Sequence, residues 1–517
     1  MNAKSLLISL SLFTIGLAAC APAATPVPVF PAPTSRPPYE EPAATSAPEA
    51  TQALDYYSPT QTPPLDNTFQ DYGVNPYTNA AEDHLSTFAL DVDTASYTVA
   101  RRYVMDGNPP PPDAIRVEEF VNYFKQDYPN PAETAFGIYA DGAPSPFLRD
   151  STQIWRIGLH GHSIPDSERL PASLTFVIDI SGSMSMENRL ELVKRSLQLL
   201  VDRLRPTDTV AIVVFGTDAR VLLNPTSGED RATILNAIYS LHPEGATNAE
   251  AGLQLGYQIA NLAYRPGGIN RVILCSDGVA NVGVTGPDAI LQSIRGYADA
   301  GITLTTVGFG MGNFNDELME QLADNGDGNY AYVDDLEEAQ RLFVDNLTST
   351  LQVIALNAKV QVDFNSEVVS YYRLIGYENR AVADQDFRNN EVDAGEIGAG
   401  HTVTALYALQ LRLNATGRLA TVNLRWEDPQ THALQEVNGD FNTWNLTPSF
   451  DQASLRYQLD VVVAQYAEGL RRSPWAQGTS LSDLYIRAER LAAQLPDDPD
   501  VAEFASLVGQ AGRISHW

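Results

Sequence analysis

The sequence predicts an α/β fold, in which a doubly wound and mostly parallel sheet is inserted in, or joined to, a β-rich domain with C-terminal helices. From 172 to 351, apolar runs alternate with amphipathic helical segments, which is the pattern of parallel strands connected by helices. From 352 to 513, polar and apolar residues alternate, as is typical of antiparallel sheets. The stretch from 132 to 171 also has strand character, so predicted β-structure flanks the parallel sheet on both sides.

The parallel strands are predicted at LTFVI, TVAIVVF, NRVILCS and ITLTTVGF. These runs are apolar almost throughout, as expected of strands that helices cover on both faces. After the first run, RLELVKRSLQLLVDRL carries apolar residues at helical spacing, namely Leu190, Val193, Leu197, Leu200 and Leu204. They share one face of the predicted helix, which therefore packs on the sheet.

The flanking strands are predicted to pair with one another across the parallel domain. IWRIGLHG is the clearest strand before it, and KVQVDF, VVSYYRLIGY, HTVTALYALQLRL and LATVNLRW follow it. We expect these strands to form one β-sandwich, with the α/β domain inserted between its two parts. Two amphipathic helices, about Phe450 to Leu470 and Ser482 to Leu495, end the chain in this prediction.

A small ordered region is predicted from 72 to 131. STFALDVDTASYTVARRYVMDG indicates a strand and then a helix that is capped by Asp93 or Thr94 and ends near Gly107. VEEFVNYF predicts a second short helix. Asp91 and Asp93 suggest calcium, but no glycine or bidentate glutamate stands at loop spacing, so capping is the favoured interpretation.

The N-terminal region predicts export and anchoring. Residues 1–20 combine Lys4, an apolar run and small residues before Cys20, which is typical of a signal peptide. The ending Leu-Ala-Ala-Cys resembles the lipobox of bacterial lipoproteins, which implies acylation of Cys20 and a lipid-anchored protein of the extracytoplasmic cell envelope; a soluble secreted protein is the alternative. Residues 21–68 are rich in Pro, Ala and Thr and predict a disordered linker.

The composition excludes one class of partner. The chain has 517 residues, 44% of them hydrophobic, and a formal net charge of −31. Such a charge repels nucleic acid, so no nucleic-acid partner is expected. The only cysteine besides Cys20 is Cys275, which predicts that the fold has no internal disulfide and that Cys275 is a small buried apolar residue.

Polar side chains follow the predicted parallel strands at their carboxyl ends, where open α/β sheets bind ligands. FVIDISGSMS places Asp179, Ser181 and Ser183 there, EGATNAEAGL places Thr247 at the start of a helix, and VILCSDGVAN places Asp277 after another strand. Each also has a structural explanation: a strand-to-helix turn, a capping box of Thr247 with Glu250, and an Asp-Gly turn.

Taken together, this order of Asp-x-Ser-x-Ser, Thr and Asp-Gly resembles the metal-ion-dependent adhesion site (MIDAS) of von Willebrand factor type A (VWA) domains. The resemblance implies Mg²⁺, with Mn²⁺ or Ca²⁺ as alternatives, held by Asp179, Ser181, Ser183, Thr247 and Asp277. It also implies an open coordination position for an Asp or Glu carboxylate of a protein ligand. Neutral hydroxyls and water suit Mg²⁺, which prefers octahedral oxygen ligands. Ala246 stands where the family often has glycine, and Ser185 matches no family position and is expected to cap.

The resemblance extends beyond the VWA pattern. AEDHLSTFALDVDTASYTVARRYVMDG, PPPDAIRVEEFVNYF and GEIGAGHTVTALYAL look like an uncharacterised bacterial group of secreted or lipid-anchored VWA proteins. That group has its own N-terminal region and a C-terminal domain of unknown function. The resemblance therefore predicts the architecture of nearly everything after the linker.

Three classes of function are compatible with these features. We expect a membrane-anchored binding protein of the adhesion type, without catalytic or cofactor-binding residues. An uncharacterised hydrolase is one alternative, although Gly-x-Ser-x-Gly and His-Glu-x-x-His are absent and VGFGMGN lacks a P-loop lysine. The other alternative is a structural envelope scaffold whose metal only stabilises the fold. DNGDGN suggests weak calcium binding, but a helix-to-strand turn explains it better.

Overall fold

The computed structural model describes residues 67–148, 151–278, 287–311 and 314–514. The predicted signal peptide, the lipidation of Cys20 and the linker up to residue 66 lie outside the described residues. Among the helices that are described, none is long and apolar enough to cross a membrane.

The strands are β1 (Thr78–Asn79), β2 (Leu85–Ala89), β3 (Phe136–Pro144), β4 (Gln153–Gly161), β5 (Ala172–Asp179), β6 (Thr209–Phe215), β7 (Ala219–Ser227), β8 (Ile269–Ser276), β9 (Thr303–Phe309), β10 (Tyr330–Val333), β11 (Val353–Phe364), β12 (Val369–Ile375), β13 (Gly395–Gly398), β14 (Thr402–Leu411), β15 (Arg418–Glu427) and β16 (Leu434–Asn442). The α-helices are α1 (Ala95–Met105), α2 (Val117–Asn122), α3 (Arg189–Val201), α4 (Arg231–Tyr239), α5 (Ala249–Leu262), α6 (Pro287–Ala298), α7 (Asp316–Asp324), α8 (Leu336–Gln340), α9 (Leu347–Leu351), α10 (Leu455–Leu470), α11 (Leu481–Gln494) and α12 (Pro499–Ala511). Short 3₁₀ segments lie at Pro112–Ala114, Gly182–Asn188, Glu378–Arg380, Asp384–Arg388, Thr443–Asn445, Phe450–Gln452 and Pro474–Ala476, and a π-helical turn spans Arg341–Asp345.

The α/β sheet has the strand order β10-β9-β8-β5-β6-β7. Neighbours from β10 to β6 are parallel, and only β7 at the edge is antiparallel to β6. The predicted doubly wound, mostly parallel sheet is therefore confirmed. Because the chain leaves β5 toward β6 and later returns to β8 on its other side, the order reverses at β5, and ligands of open α/β sheets bind at such a reversal.

Helices cover both faces of this sheet. Val193 and Leu197 of α3 pack on one face beside Phe176, whereas Leu253 of α5 packs on the other beside Val177. Phe176 and Val177 lie in different cores because successive side chains of a strand point to opposite faces of the sheet. Cys275 of β8 is fully buried, as predicted for a small apolar residue.

Two antiparallel sheets form the β-rich domain, in the orders β1-β12-β14-β4-β3 and β13-β11-β15-β16, with β2 also paired to β11. Trp155 of β4 pairs with Tyr407 of β14 and is fully buried between the sheets with Val362 and Leu424. Strands from before and after the α/β domain thus lie in one sheet, which confirms that the α/β domain is inserted in a sandwich.

The chain enters and leaves the inserted domain at adjacent points. The Leu170 amide donates a hydrogen bond to Oε1 of Gln352 at 2.8 Å. Leu170 lies two residues before β5, and Gln352 immediately precedes β11, so the two crossings lie side by side.

The N-terminal region differs from the prediction at its helix cap. No side chain caps α1, and Oδ1 of Asp93 accepts a hydrogen bond from the Tyr330 amide at 3.0 Å. Asp91 instead pairs with Arg380, whose Nε lies 3.1 Å from Oδ2 of Asp91. The prediction that Asp93 caps α1 is therefore wrong, because its carboxylate accepts a hydrogen bond from a residue distant in the sequence.

The C-terminal helices pack on the outer face of the sheet that contains β4 and β14. Val462 of α10 and Leu491 of α11 share a core with Leu406 and Ala408. The sequence prediction missed α12, which Asp498 caps by accepting a hydrogen bond from the Asp500 amide. Its Phe504 is fully buried in the same core.

Candidate metal centre

The candidate centre lies at the carboxyl ends of β5 and β8, where the order of the α/β sheet reverses. Asp179 is the last residue of β5, and Asp277 directly follows β8. Because Ile178 pairs with Cys275 in the parallel ladder, the next residues of both strands leave the sheet at the same edge. The apolar strands bury both carboxylates: Asp179 is 0% exposed and Asp277 is 5% exposed.

Hydrogen bonds hold the Asp179 carboxylate from two sides. Oδ1 accepts from the Ser181 amide at 2.8 Å, and Oδ2 accepts from the Ser276 hydroxyl at 2.8 Å. Ser276 also accepts from the Gly278 amide through its Oγ, at 3.2 Å. The hydroxyl of Ser276 therefore connects Asp179 with the segment that carries Asp277.

The two motif hydroxyls lie together. Oγ of Ser181 and Oγ of Ser183 are 3.0 Å apart, and Ser181 is buried whereas Ser183 is half-buried. The short 3₁₀ segment that begins at Gly182 turns Ser183 back toward Ser181. A pair of hydroxyl oxygens at this spacing presents two neutral ligand atoms to one cation.

Thr247 lies on the loop that packs against this motif. The Gly182 amide donates to the carbonyl of Gly245 at 3.2 Å, and the Glu244 amide donates to the carbonyl of Ile180. Asn248, and not Thr247, caps α5 by accepting a hydrogen bond from the Ala251 amide. The capping-box interpretation of Thr247 is therefore wrong, and no hydrogen bond within the described part of the chain engages its hydroxyl.

An arginine that the sequence analysis did not single out completes the centre. Nη1 of Arg189 donates to Oδ2 of Asp277 at 2.6 Å, and Nη2 donates to the carbonyl of Met311. Arg189 is the first residue of α3, and its guanidinium is buried beside Gly310. The sequence signal was a basic residue a few positions after the Asp/Ser motif, but only the fold shows that it reaches Asp277.

The electrostatics favour a cation at this edge. Burial raises the pKa of Asp179 to about 6, hydrogen bonds from Ser181 and Ser276 counteract the increase, and the charge of Asp277 adds to it. Two carboxylates and the single guanidinium of Arg189 leave one net negative charge among these three groups. A divalent cation would outweigh this charge, would leave one net positive charge, and would meet only oxygen ligands.

The donor set therefore fits a divalent cation of the Mg²⁺ class. Asp179 and the hydroxyls of Ser181 and Ser183 form one hydrogen-bonded group. Ser276 connects this group to the Gly278 amide, directly after Asp277, and Thr247 lies on the adjoining loop. That these side chains ligate a metal stays a prediction. Ser185, expected to cap, instead donates its hydroxyl to the Gly182 carbonyl at 2.7 Å.

Comparison with known proteins identifies three matching segments. A family model described as von Willebrand factor type A domain matches residues 173–346, and one described as von Willebrand factor matches 63–155. A third, described as the C-terminal part of the uncharacterized protein YfbK, matches 349–514. The first match covers every side chain of the candidate centre.

Two relatives are similar to long stretches of this chain. The uncharacterized protein YfbK of Escherichia coli (strain K12) is 37% identical over 475 residues, which cover 86% of this chain and 81% of that protein. The uncharacterized protein sll0103 of Synechocystis sp. is 26% identical over 305 residues, 57% of this chain and 70% of that protein. Among solved structures, the von Willebrand factor type A protein from Catenulispora acidiphila has 17% identity and a TM-score of 0.40, and the match covers 72% of this chain and 88% of that one.

Proposed function

The chain belongs to the YfbK family of bacterial von Willebrand factor type A proteins, and from this premise we propose that it is a noncatalytic binding protein of the cell envelope. In this proposal, a divalent cation at the carboxyl edge of β5 and β8 captures a carboxylate of a protein ligand. The observation that carries the proposal is the buried Asp179 beside the paired hydroxyls of Ser181 and Ser183, at the reversal point of the sheet.

The chemistry of the edge suits capture of a carboxylate. A bound cation supplies a positive charge with a coordination position open to an oxygen of the partner. Asp179 is held in place by the Ser181 amide and the Ser276 hydroxyl, so its carboxylate is oriented before any cation arrives. Arg189 already neutralises Asp277, so the protein contributes little negative charge that would weaken the attraction for a partner's carboxylate.

The net charge of the chain makes this capture dependent on the cation. At −31, the protein repels an acidic partner at distances within the screening length of the solution. A cation at the edge reverses the sign of the local field there. We therefore expect the affinity for a carboxylate ligand to be lost almost completely when the cation is removed.

The proposal places the protein on the extracytoplasmic side of a bacterial membrane. The support is the signal-like sequence of residues 1–20 and the lipobox-like ending before Cys20. Acylation of Cys20 would anchor the chain, and the Pro-rich stretch to residue 68 would space the folded part from the membrane. Metabolic labelling with a radioactive fatty acid tests this: label in the parent chain and not in Cys20→Ala supports the anchor, and equal label contradicts it.

Two observations weigh against the alternatives. The guanidinium of Arg189 pairs with Asp277 without any metal, so this buried carboxylate does not need a cation to be neutralised. Within the described part of the chain, no histidine hydrogen-bonds the hydroxyls of Ser181, Ser183 or Ser276, so a serine nucleophile there would lack the usual base.

Calorimetric titration of Mg²⁺, Mn²⁺ and Ca²⁺ into the EDTA-treated full chain tests the metal site. We expect saturable binding that Ser181→Ala weakens about tenfold or more, since the variant removes one ligand oxygen. Ser185→Ala is the matched control, because among the described residues its hydroxyl bonds only the Gly182 carbonyl. Equal affinities in the parent and in Ser181→Ala would contradict the assignment.

A second experiment separates ligand capture from stabilisation. Immobilised peptides, each with a single Asp or its Asn counterpart, are probed with the parent chain and with Asp277→Ala in Mg²⁺ or in EDTA. Capture predicts Mg²⁺-dependent binding to Asp peptides alone, and its loss in a variant that still melts cooperatively. A variant that unfolds in Mg²⁺ at ambient temperature would favour the structural scaffold.

A further inference from the structure

Three carboxylates converge at a place remote from the candidate metal centre. Asp327, Asp393 and Glu396 each offer an oxygen, and these oxygens all lie within 4.8 Å of one another. Asp327 is half-buried, Asp393 is exposed, and Glu396 is buried. We call these three residues the acidic triad.

The acidic triad lies near the amino ends of the parallel strands, whereas Asp179 lies at their carboxyl ends. Asp327 belongs to the turn between α7 and β10, and the Gly326 carbonyl in that turn accepts a hydrogen bond from the Leu304 amide at 2.7 Å. Leu304 is near the start of β9, and Asp179 ends the parallel strand β5. The triad and the candidate metal centre are therefore separate sites.

The triad joins two different parts of the fold. Asp327 comes from the inserted α/β domain, whereas Glu396 is in β13, which pairs with β11 in the sandwich. Asp393 lies just before β13. A cation bound by all three carboxylates would therefore connect the inserted domain to the sandwich that carries it.

Glu396 is the observation that points to a ligand. It is only 7% exposed, and within the described residues no hydrogen bond or ion pair engages its carboxylate. Other buried carboxylates of this protein have partners: Glu468 pairs with Arg373 at 3.1 Å, and Asp460 with Arg156 at 2.9 Å. Burying a carboxylate without a partner is costly, and here two further carboxylates approach it.

Within the described residues, no arginine forms a buried ion pair with the triad. Nη2 of Arg295 lies 3.4 Å from Oδ2 of Asp393, but both side chains are about half exposed, so this ion pair is weak. Arg271 directs its guanidinium to the hydroxyls of Thr303 and Thr305, at 3.1 and 3.0 Å. The charges of Arg271 and Arg380 act on Glu396, but in the described part of the chain neither guanidinium forms an ion pair or a hydrogen bond with its carboxylate.

The titration behaviour agrees with this geometry. Burial and the charges of Asp327 and Asp393 raise the pKa of Glu396 well above its ordinary range. Burial and the charge of Asp393 likewise raise the pKa of Asp327 to about 6. A proton on Glu396 or a bound cation would relieve the repulsion among the three carboxylates. Measurements of calcium binding distinguish the two.

We propose that Asp327, Asp393 and Glu396 form a second divalent-cation site, specific for Ca²⁺, that clamps the inserted α/β domain to the sandwich. Three carboxylates on two separate segments suit Ca²⁺, which accepts six to eight oxygens in flexible geometry. Mg²⁺ demands a near-ideal octahedron and gives up its water reluctantly, so it is the poorer fit. Water and main-chain carbonyls would complete the shell.

Equilibrium dialysis with radioactive calcium tests the site in the full chain that carries Asp277→Ala, so that the candidate metal centre does not contribute. We expect about one Ca²⁺ per chain, lost in Glu396→Gln and retained in Glu391→Gln. Glu391 is an exposed glutamate of the same segment and is therefore the matched control. No Ca²⁺ bound by the Asp277→Ala chain, or equal binding in all three proteins, would overturn the proposal.

Thermal melting gives an independent readout. In EDTA, Glu396→Gln is expected to melt at or above the parent temperature, because the buried charge is gone. Addition of CaCl₂ should raise the melting temperature of the parent and of Glu391→Gln, but not that of Glu396→Gln. A rise of the same size in all three proteins would show that Ca²⁺ stabilises the chain elsewhere and would contradict the clamp.

Discussion

Nη1 of Arg189 lies 2.6 Å from Oδ2 of Asp277 and donates a hydrogen bond to it. Both side chains are buried, and the second amino group of the guanidinium donates to the Met311 carbonyl. The first helical residue after the Asp/Ser motif is thus bonded to the last carboxylate of the candidate centre. Arg189 therefore neutralises Asp277 and stabilises the protein when no cation is present, and its charge competes with a bound cation for this carboxylate.

The variant Arg189→Gln tests both effects of Arg189, on stability without a cation and on the response to Mg²⁺. In EDTA the variant should be less stable by about 3 kcal/mol, because Asp277 is left buried without its partner. Mg²⁺ should then raise its melting temperature more than that of the parent, since the cation replaces the lost charge. Differential scanning fluorimetry in EDTA and in MgCl₂ measures both quantities.

The control for this experiment is Arg231→Gln, which removes an exposed guanidinium that lies 3.6 Å from the exposed Asp202. It should behave as the parent does in both buffers. An Arg189→Gln protein with the parent's response to Mg²⁺ would contradict the view that Arg189 and the cation neutralise the same carboxylate.

Gly245→Ala should weaken cation binding through the Thr247 loop. Gly245 has φ +78°, and an added Cβ would lie 2.8 Å from the Thr217 main-chain nitrogen. The left-handed backbone alone costs about 1–2 kcal/mol for alanine, and the clash with main chain forces the loop to move. Calorimetry should show weaker Mg²⁺ binding, because the loop positions the Thr247 hydroxyl.

Gly267→Ala is the matched control, since Gly267 has φ +69° and nothing within 4 Å of the added Cβ. Its backbone strain should lower the melting temperature and leave Mg²⁺ affinity unchanged. If both alanine variants bind Mg²⁺ equally, the loop around Gly245 does not position a ligand.

Protonation of Asp208 should make the protein less stable in acid. Burial alone would raise its pKa, but hydrogen bonds from the Arg205 and Ala172 amides, both at 2.9 Å, and the charge of Arg169 hold the pKa below its ordinary value of 3.8. Because the folded-state pKa is lowered, the stabilisation is complete above the unfolded value and is lost as the pH falls through the folded value.

Asp208→Asn reveals this contribution. At neutral pH the variant should be less stable by about 3 kcal/mol, since Arg169 then faces a neutral amide. The difference from the parent should shrink below pH 3.8. Urea unfolding at a series of pH values measures it, with the exposed Asp202→Asn as control; a difference that is independent of pH would contradict the assignment.

Arg116 should couple the N-terminal region to the inserted domain. Its Nη1 lies 2.7 Å from Oδ2 of Asp316, and both side chains are buried. Arg116→Met should lower the free energy of unfolding by about 3–5 kcal/mol, because it leaves the buried carboxylate of Asp316 without its ion pair. The double variant with Asp316→Asn should recover part of that stability. A double-mutant cycle of unfolding free energies measures the coupling; additive effects would contradict it.

Much of the fold follows from local patterns. Apolar runs predicted the parallel strands because helices cover both faces, and alternation predicted the sandwich strands on either side of the insertion. The sequence analysis missed α12, which begins at the end of the acidic and Pro-rich stretch PDDPD. Composition there suggests a loop, whereas the cap of Asp498 and the burial of Phe504 maintain a helix.

The sequence predicted those residues of the candidate centre that lie at the ends of strands. Asp179 and Asp277 are expected at one edge because parallel strands end together, and the structure places them there. The bond between Arg189 and Asp277 was not predictable, because it depends on how the start of α3 approaches β8. Asp93 shows the same limit, since its partner is the Tyr330 amide, far along the chain.

The side-by-side crossings at Leu170 and Gln352 have a consequence for the order of folding. Strand β4 must find β14 across the entire inserted domain, and an unfolded insertion would impose its full loop-closure entropy on that pairing. A domain that folds first brings its two ends together and reduces this entropic cost by about 1 kcal/mol. The α/β domain is thus expected to form early, with the sandwich closing around its ends as the slower step.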